Sequence, residues 1–234
     1  MRATPSTLAN AAYGIVRRRL LRGQLSLGQA VSRRKLAAEL GMSFLPVSEA
    51  LLRLEVEGLL ESRPRAGTRV RIPSPDDVRG HYVVRESLET QAARLFSEKA
   101  SKAERVSLQQ LGARVDQMSQ GPDRKRYLRL HYEFHRNIAE GARCPVLSAA
   151  IEQTCALSST WFCVFPRPVG VGVPRRHRDL AKALATGTSA VAAAAMRKHV
   201  RWSRQEALHR LQPYFEIRRS TGRTFSRSPQ RVVS

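Results

Sequence analysis

Apolar residues recur at helical spacing through the first part of the chain, where Leu8, Ala12, Ile15, Val16 and Leu20 share one face before Gly23. Thr4 followed by Pro5 marks the start of this helix, and Arg17, Arg18, Arg19 and Arg22 crowd its end. A short second helix is expected after the cap Ser32, with Leu36 and Leu40 on one face and Gly41 as its stop. Ser43 then caps a third helix. Its Pro46 falls in the first turn, where a missing amide costs nothing, and Val47, Ala50, Leu51 and Leu54 form a buried stripe. Two short helices across a tight glycine turn make a helix-turn-helix candidate.

After Gly58 the period drops to two. LLESR, PRAG and TRVRI follow one another, and Val70 and Ile72 alternate with Arg69 and Arg71. This predicts a β-hairpin with a basic tip, so residues 1–72 read as a winged helix-turn-helix. PSPDD, residues 73–77, reads as a linker. Residues 78–212 read as helices only, with elements near 76–99, 101–119, 122–142, 144–163, 174–186 and 188–211. Short connections imply an antiparallel bundle, interrupted by a longer loop over FPRPVGVGVP, residues 165–174. Residues 213–234 read as a basic tail, expected to be disordered from Glu216 onward because large apolar residues are scarce there. The expected fold class is mainly α, a winged helix-turn-helix followed by an all-α bundle.

Charge narrows the partners. The 234 residues carry 41 Lys and Arg against 19 Asp and Glu, a net charge of +22. An excess of this size favours nucleic acid through counterion release, although it does not by itself separate a specific binder from a nonspecific packaging protein. No apolar run is long enough to cross a membrane and the first residues lack the pattern of a signal peptide, so a cytoplasmic, nucleoid-associated protein is expected. Cys144, Cys155 and Cys163 are an odd count without a CxxC pair, which points to neither a disulfide framework nor a cysteine zinc site. There is no P-loop, dinucleotide fingerprint or internal repeat.

LAAELGMSFLPVSEALLRLEVEGLLESRPRAGTRV, residues 36–70, resembles the winged helix-turn-helix of GntR-type transcriptional regulators. YVVRESLETQAARLF (82–96), HYEFHRNIAEGARCPVL (131–147) and HRDLAKALATG through MRKHV (177–200) resemble the ligand-binding FCD domain of the FadR-like branch of that family. The resemblance implies a homodimer that binds an inverted-repeat operator in double-stranded DNA under control of a small anionic metabolite, with repression the expected sign. Arg34 matches a phosphate- or base-contacting arginine, and the wing supplies Arg63, Arg65 and Arg69. The family commonly places arginines at the start of the recognition helix and four residues later, where this chain has Phe44 and Ser48. With Ser43, Leu45 and Leu52, these residues lie off the buried stripe. Phe44 and Leu45 can reach thymine methyl groups and Ser48 can bond a base or phosphate, while packing against a neighbouring helix or subunit is the competing role for Phe44.

His131 and His135 are four residues apart, so both rings leave one helix face and can chelate a single ion. The resemblance adds His177 and His199, which fall at FCD metal-ligand positions, as does His131 where relatives usually keep aspartate. Four imidazoles suit zinc, nickel or cobalt better than calcium or magnesium. A three-histidine site without His131 stays open. Arg85 falls where relatives point an arginine at the effector, with a salt bridge to Glu89 as the alternative. Trp161, Phe162 and Phe165 are expected to fill core. A helical metalloenzyme is the runner-up reading, weakened because HYEFH is not HExxH and offers no general base.

Overall fold

The computed structural model describes residues 5–119, 121–163 and 175–223. Helix α1 (Pro5–Leu21) buries Ala9, Ala12, Val16 and Leu20 at the expected spacing. Strand β1 (Ala30–Val31) precedes α2 (Arg33–Leu40), where Ser32 Oγ accepts from the Lys35 amide and Gly41 closes the helix at φ 62°. That left-handed backbone is open to glycine at little cost, and it lets α3 (Phe44–Val56) start three residues later. Ser43 has extended backbone at the N-cap of α3 but makes no side-chain capping bond. Val47, Ala50, Leu51 and Leu54 are fully buried beneath α3, packed on α1 and α2.

The wing consists of β2 (Leu60–Arg63) and β3 (Gly67–Val70), paired antiparallel. The sheet has a third strand that the alternation did not announce. β1 pairs with β3, Ala30 opposite Arg69 and Val31 opposite Thr68, giving the order β1-β3-β2. Two residues are too few to show a period of two, which is why only the hairpin was visible in the pattern.

Six helices follow: α4 (Pro75–Lys99), α5 (Lys102–Ser119), α6 (Arg124–Gly141), α7 (Pro145–Cys163), α8 (Arg176–Thr186) and α9 (Ser189–Arg210). They form the antiparallel bundle, with α4 packed along α9 and α5 along α8. Most of the expected linker is the first turn of α4: Ser74 Oγ accepts from the Asp77 amide while the Asp77 carboxylate accepts from the Ser74 amide. Tyr82, Phe96, Phe134 and Trp161 fill the centre.

The tail departs from expectation. Residues 212–223 form α10 (Gln212–Arg223), not a disordered segment. Pro213 sits in the first turn, where it is tolerated, Phe215 is buried, and the Arg218 guanidinium donates to the Ile72 carbonyl and to Asp77. One aromatic anchor and one arginine therefore tie this helix to the junction between wing and bundle. The expected loop at 165–174, including Phe165, and the tail beyond Arg223 lie outside the described residues, as does the side chain of Phe162. No helix among the described residues is long and apolar enough to cross a membrane.

Candidate metal centre and nucleic-acid interface

Four histidines from three helices meet inside the bundle. α6 brings His131 and His135 from successive turns, α8 brings His177 from its first turn, and α9 brings His199. One ring nitrogen from each lies within 4.8 Å of the others. His135, His177 and His199 are buried and His131 is partly so.

The close approach of α5 to α8 places His177. A Cβ on Gly112 would come within 2.7 Å of the His177 carbonyl oxygen, so glycine is what lets the backbones meet. One turn further along α5, Asp116 accepts from the His177 and Arg178 amides, capping α8, and its Oδ1 lies 2.8 Å from His177 Nδ1. A second carboxylate stands beside a histidine on the other side. Glu89 Oε2, from α4, lies 2.8 Å from His135 Nδ1, at an angle bent away from good hydrogen-bond geometry. Both acids are about 2% exposed or less. Asp116 holds His177 Nδ1 and leaves its Nε2 free, the arrangement that fixes the tautomer of a metal-ligating imidazole, while Glu89 stands beside His135 Nδ1 without completing the bond.

The Nε2 atoms of His135, His177 and His199 are buried without a protein partner. Burial pushes the pKa of His131 and His199 well below the ordinary histidine value, helped by the neighbouring histidines, and lowers that of His177 despite Asp116. Neutral rings keep their lone pairs. Zinc–nitrogen bonds of about 2.0–2.1 Å allow ligand atoms no more than about 4.2 Å apart, so small ring movements would close this cluster around one ion. The donor set fits a divalent transition metal.

Arg85 makes the salt bridge to Glu89 that was the alternative to an effector contact. Its Nε donates to Glu89 Oε1 at 2.6 Å, while Nη1 is buried without a partner. The guanidinium also lies 5.0 Å from the Tyr82 ring centroid. Burial opposes ionisation of Glu89, but Arg85 and His135 outweigh it and hold the carboxyl well below its usual range. Trp161 is core, 2% exposed, packed edge-on against His81. Sequence reading missed Glu89 as a partner of His135, and missed Asp116 altogether. A single acid on a helix carries no local mark of its role, and only the packing of α5 against α8 reveals it.

At the other end, Arg34 is exposed on the first turn of α2, and Arg65 stands at the wing tip with φ 61°. Arg63 and Arg69 both approach Glu61, at 3.1 and 3.6 Å. A groove between α2 and the wing is lined by Arg33, Arg34, Arg63 and Arg65. Phe44 and Leu45 are 52% and 61% exposed at the start of α3, so the alternative of Phe44 packing within the chain is not what the fold shows. Ser48 turns its hydroxyl inward, where it is buried without a partner.

The family model for bacterial regulatory proteins of the gntR family matches residues 8–70, and that for the FCD domain matches residues 81–201. The chain belongs to the GntR family, with a C-terminal FCD domain. It is 30% identical over 200 residues to a probable D-xylose utilization operon transcriptional repressor of Paenarthrobacter nicotinovorans, covering 85% of this chain and 88% of that protein. It is 26% identical over 143 residues to the Escherichia coli repressor RspR, covering 60% and 61%. The fold is shared with E. coli McbR/YncC (TM-score 0.69, 22% identity, 92% and 100% covered) and with a putative GntR regulator from Rhodococcus (TM-score 0.73, 19% identity, 86% and 97% covered). These relatives are regulators, not enzymes. The GntR–FCD chain is accordingly a DNA-binding transcriptional regulator, which removes the metalloenzyme alternative.

Proposed function

We propose that this GntR–FCD protein is a homodimeric repressor whose operator affinity is set by a small carboxylate effector bound beside a divalent transition metal in the bundle. The observation that carries the metal half is the cluster of four histidines with one ring nitrogen from each within 4.8 Å of the others, together with the buried, unpartnered Nε2 atoms of His135, His177 and His199. His131, His135, His177 and His199 would hold the ion, with zinc favoured and nickel or cobalt compatible. When bound, the metal supplies an electrophilic anchor for an anionic oxygen. Arg85 supports the effector half: its unpartnered Nη1 offers a charge-assisted hydrogen bond to a carboxylate while Glu89 holds Nε in place. The two GntR relatives named as repressors support the sign.

For DNA, the first residues of α3 would enter the major groove, with Arg34, Arg63, Arg65 and Arg69 on flanking phosphates and Ser43 at the helix start. Two copies would read an inverted repeat, and effector binding would change the spacing of the wings with a coupling of about 1–3 kcal/mol.

The test is elemental analysis and zinc calorimetry on the purified protein and on the His135→Ala/His177→Ala variant, with operator affinity measured with and without candidate carboxylates. The expected result is one ion per chain in the wild type and none in the variant. Sedimentation should show a dimer, and selection on genomic DNA should enrich one inverted repeat. Binding to all fragments alike, with an equal salt slope on each, would favour the nonspecific reading of the charge.

A further inference from the structure

The exposed face of α3 is apolar where a reader of guanine needs a cation. Phe44, Leu45, Leu52 and Val56 are 52%, 61%, 57% and 83% exposed, and Phe44, Leu52 and Val56 fall on one row with a spacing of four or eight. The one basic residue of the helix, Arg53, is drawn to the back: its Nη1 donates to Asn10 Oδ1 at 2.6 Å and its guanidinium stacks 4.2 Å from the Tyr13 ring centroid. Glu49 is exposed on the reading face and Ser48 hides its hydroxyl. The paired hydrogen bonds that arginine or lysine makes to guanine O6 and N7 are therefore not on offer from α3. The flanks tell the opposite story, because Arg33, Arg34, Arg63 and Arg65 line the groove between α2 and the wing. An apolar row bracketed by cations fits a polyanion whose groove floor carries methyl groups.

Resting on the reading of the chain as a DNA-binding regulator, we infer that α3 selects its operator through thymine C5-methyl groups packed against Phe44, Leu45 and Leu52, with phosphate contacts left to α2 and the wing. The C5-methyl is the one apolar feature that a base pair displays in the major groove. Base-edge contacts come from the N-terminal part of a recognition helix, which is where Phe44 and Leu45 stand.

The experiment begins with full-length protein and fragmented genomic DNA, from which the bound motif is obtained. The same duplex is then made with uracil in place of thymine, which removes the methyl and keeps the pairing. Affinity should fall roughly fourfold for each contacted methyl, with the salt slope unchanged. Phe44→Ala and Leu52→Ala, at exposed positions that leave the helical circular dichroism intact, should each narrow the gap between the thymine and uracil duplexes by about the share of the methyls that side chain contacts. Equal binding of both duplexes by the wild type would overturn the inference while leaving the regulator reading in place. So would Phe44→Ala dissociating a dimer without changing the preference for thymine, which would make this face a protein contact. An absence of any enriched motif would sink the regulator reading and the inference together.

Discussion

Helices α3 and α6 turn their candidate site residues in opposite directions relative to their polarity. α6 drives the polar His131 and His135 into the bundle beside Phe134 and Ile138, whereas α3 presents Phe44, Leu45 and Leu52 to solvent. Each arrangement costs folding free energy. A buried nitrogen without a partner costs roughly 1–3 kcal/mol, and an exposed Leu or Phe forgoes roughly 1.5–3 kcal/mol of burial. Local rules broken in this way are expected at functional or strained sites. The two differ in support. The histidine centre draws on α6, α8 and α9 with carboxylates from α4 and α5, while the reading face rests on one helix and its wing, so loss of the ligand should be felt through the fold in the first case and hardly at all in the second.

Breaking the proposed metal centre should give the largest effect. Zinc at about a thousandfold over its Kd stabilises a protein that binds it only when folded by about 4 kcal/mol, so the melting temperature should rise with zinc and fall with a chelator. The His135→Ala/His177→Ala variant should show neither response. A variant that still takes up one zinc ion and melts higher for it would remove these histidines from the site.

Glu89 tests the support around the centre. Its carboxylate faces Arg85 Nε at 2.6 Å and His135 Nδ1 at 2.8 Å, all three groups being buried. Glu89→Gln leaves the arginine charge uncompensated, and loss of one partner of a buried pair costs about 3–5 kcal/mol. Urea unfolding should register that loss, while the Arg85→Met/Glu89→Leu pair, which removes both charges together, should cost much less. If the single change costs as little as the double, Glu89 is not holding a buried charge.

The same contrast explains what could be read from the chain. The stripes of α1 and α3, the Ser32 and Gly41 caps of α2, and the basic hairpin were legible because each is written in consecutive residues with a known period. So was the His131–His135 pair. Asp116 and the third strand Ala30–Val31 were not, because one acid and two residues have no period, and their roles arise when α5 meets α8 and when β1 meets β3. Helix α10 was hidden for a related reason. Its arginine-rich composition resembles that of a loose tail, and Phe215 becomes an anchor only once the core that receives it exists.

A pH titration probes a histidine outside the four-histidine cluster. His81 packs 4.9 Å from the Trp161 ring centroid, and burial lowers its pKa to about 4, with Arg85 adding to the shift and Glu89 and the Thr154 backbone opposing it. The unfolded chain takes up a proton near pH 6.5 that the folded chain refuses until about pH 4. Stability is therefore lost as pH falls across that window, by about 3 kcal/mol at its lower end. His81→Phe should remove this share of the acid sensitivity, and the difference between wild type and variant isolates it from the four clustered histidines. Parallel curves for the two proteins would show that His81 titrates normally in the fold.

The smallest effect is expected from Leu52, the exposed neighbour of buried Leu51 on α3. Leu51 is 0% exposed and Leu52 is 57% exposed, so one step along the helix moves the same side chain from core to surface. Leu51→Ala should cost about 2–5 kcal/mol, the range for a buried leucine that leaves a cavity. Leu52→Ala should stay within about 0.5 kcal/mol, since a surface position away from caps and ion pairs contributes little to folding. Chemical denaturation of the two variants decides the matter. A cost above about 1 kcal/mol at Leu52 in the free protein would mean that the row on α3 is already covered, by another copy of the chain or by a neighbouring segment, and the exposed half of the comparison would fall. A neutral Leu52→Ala that binds the operator more weakly would show a leucine placed for its partner and not for the fold.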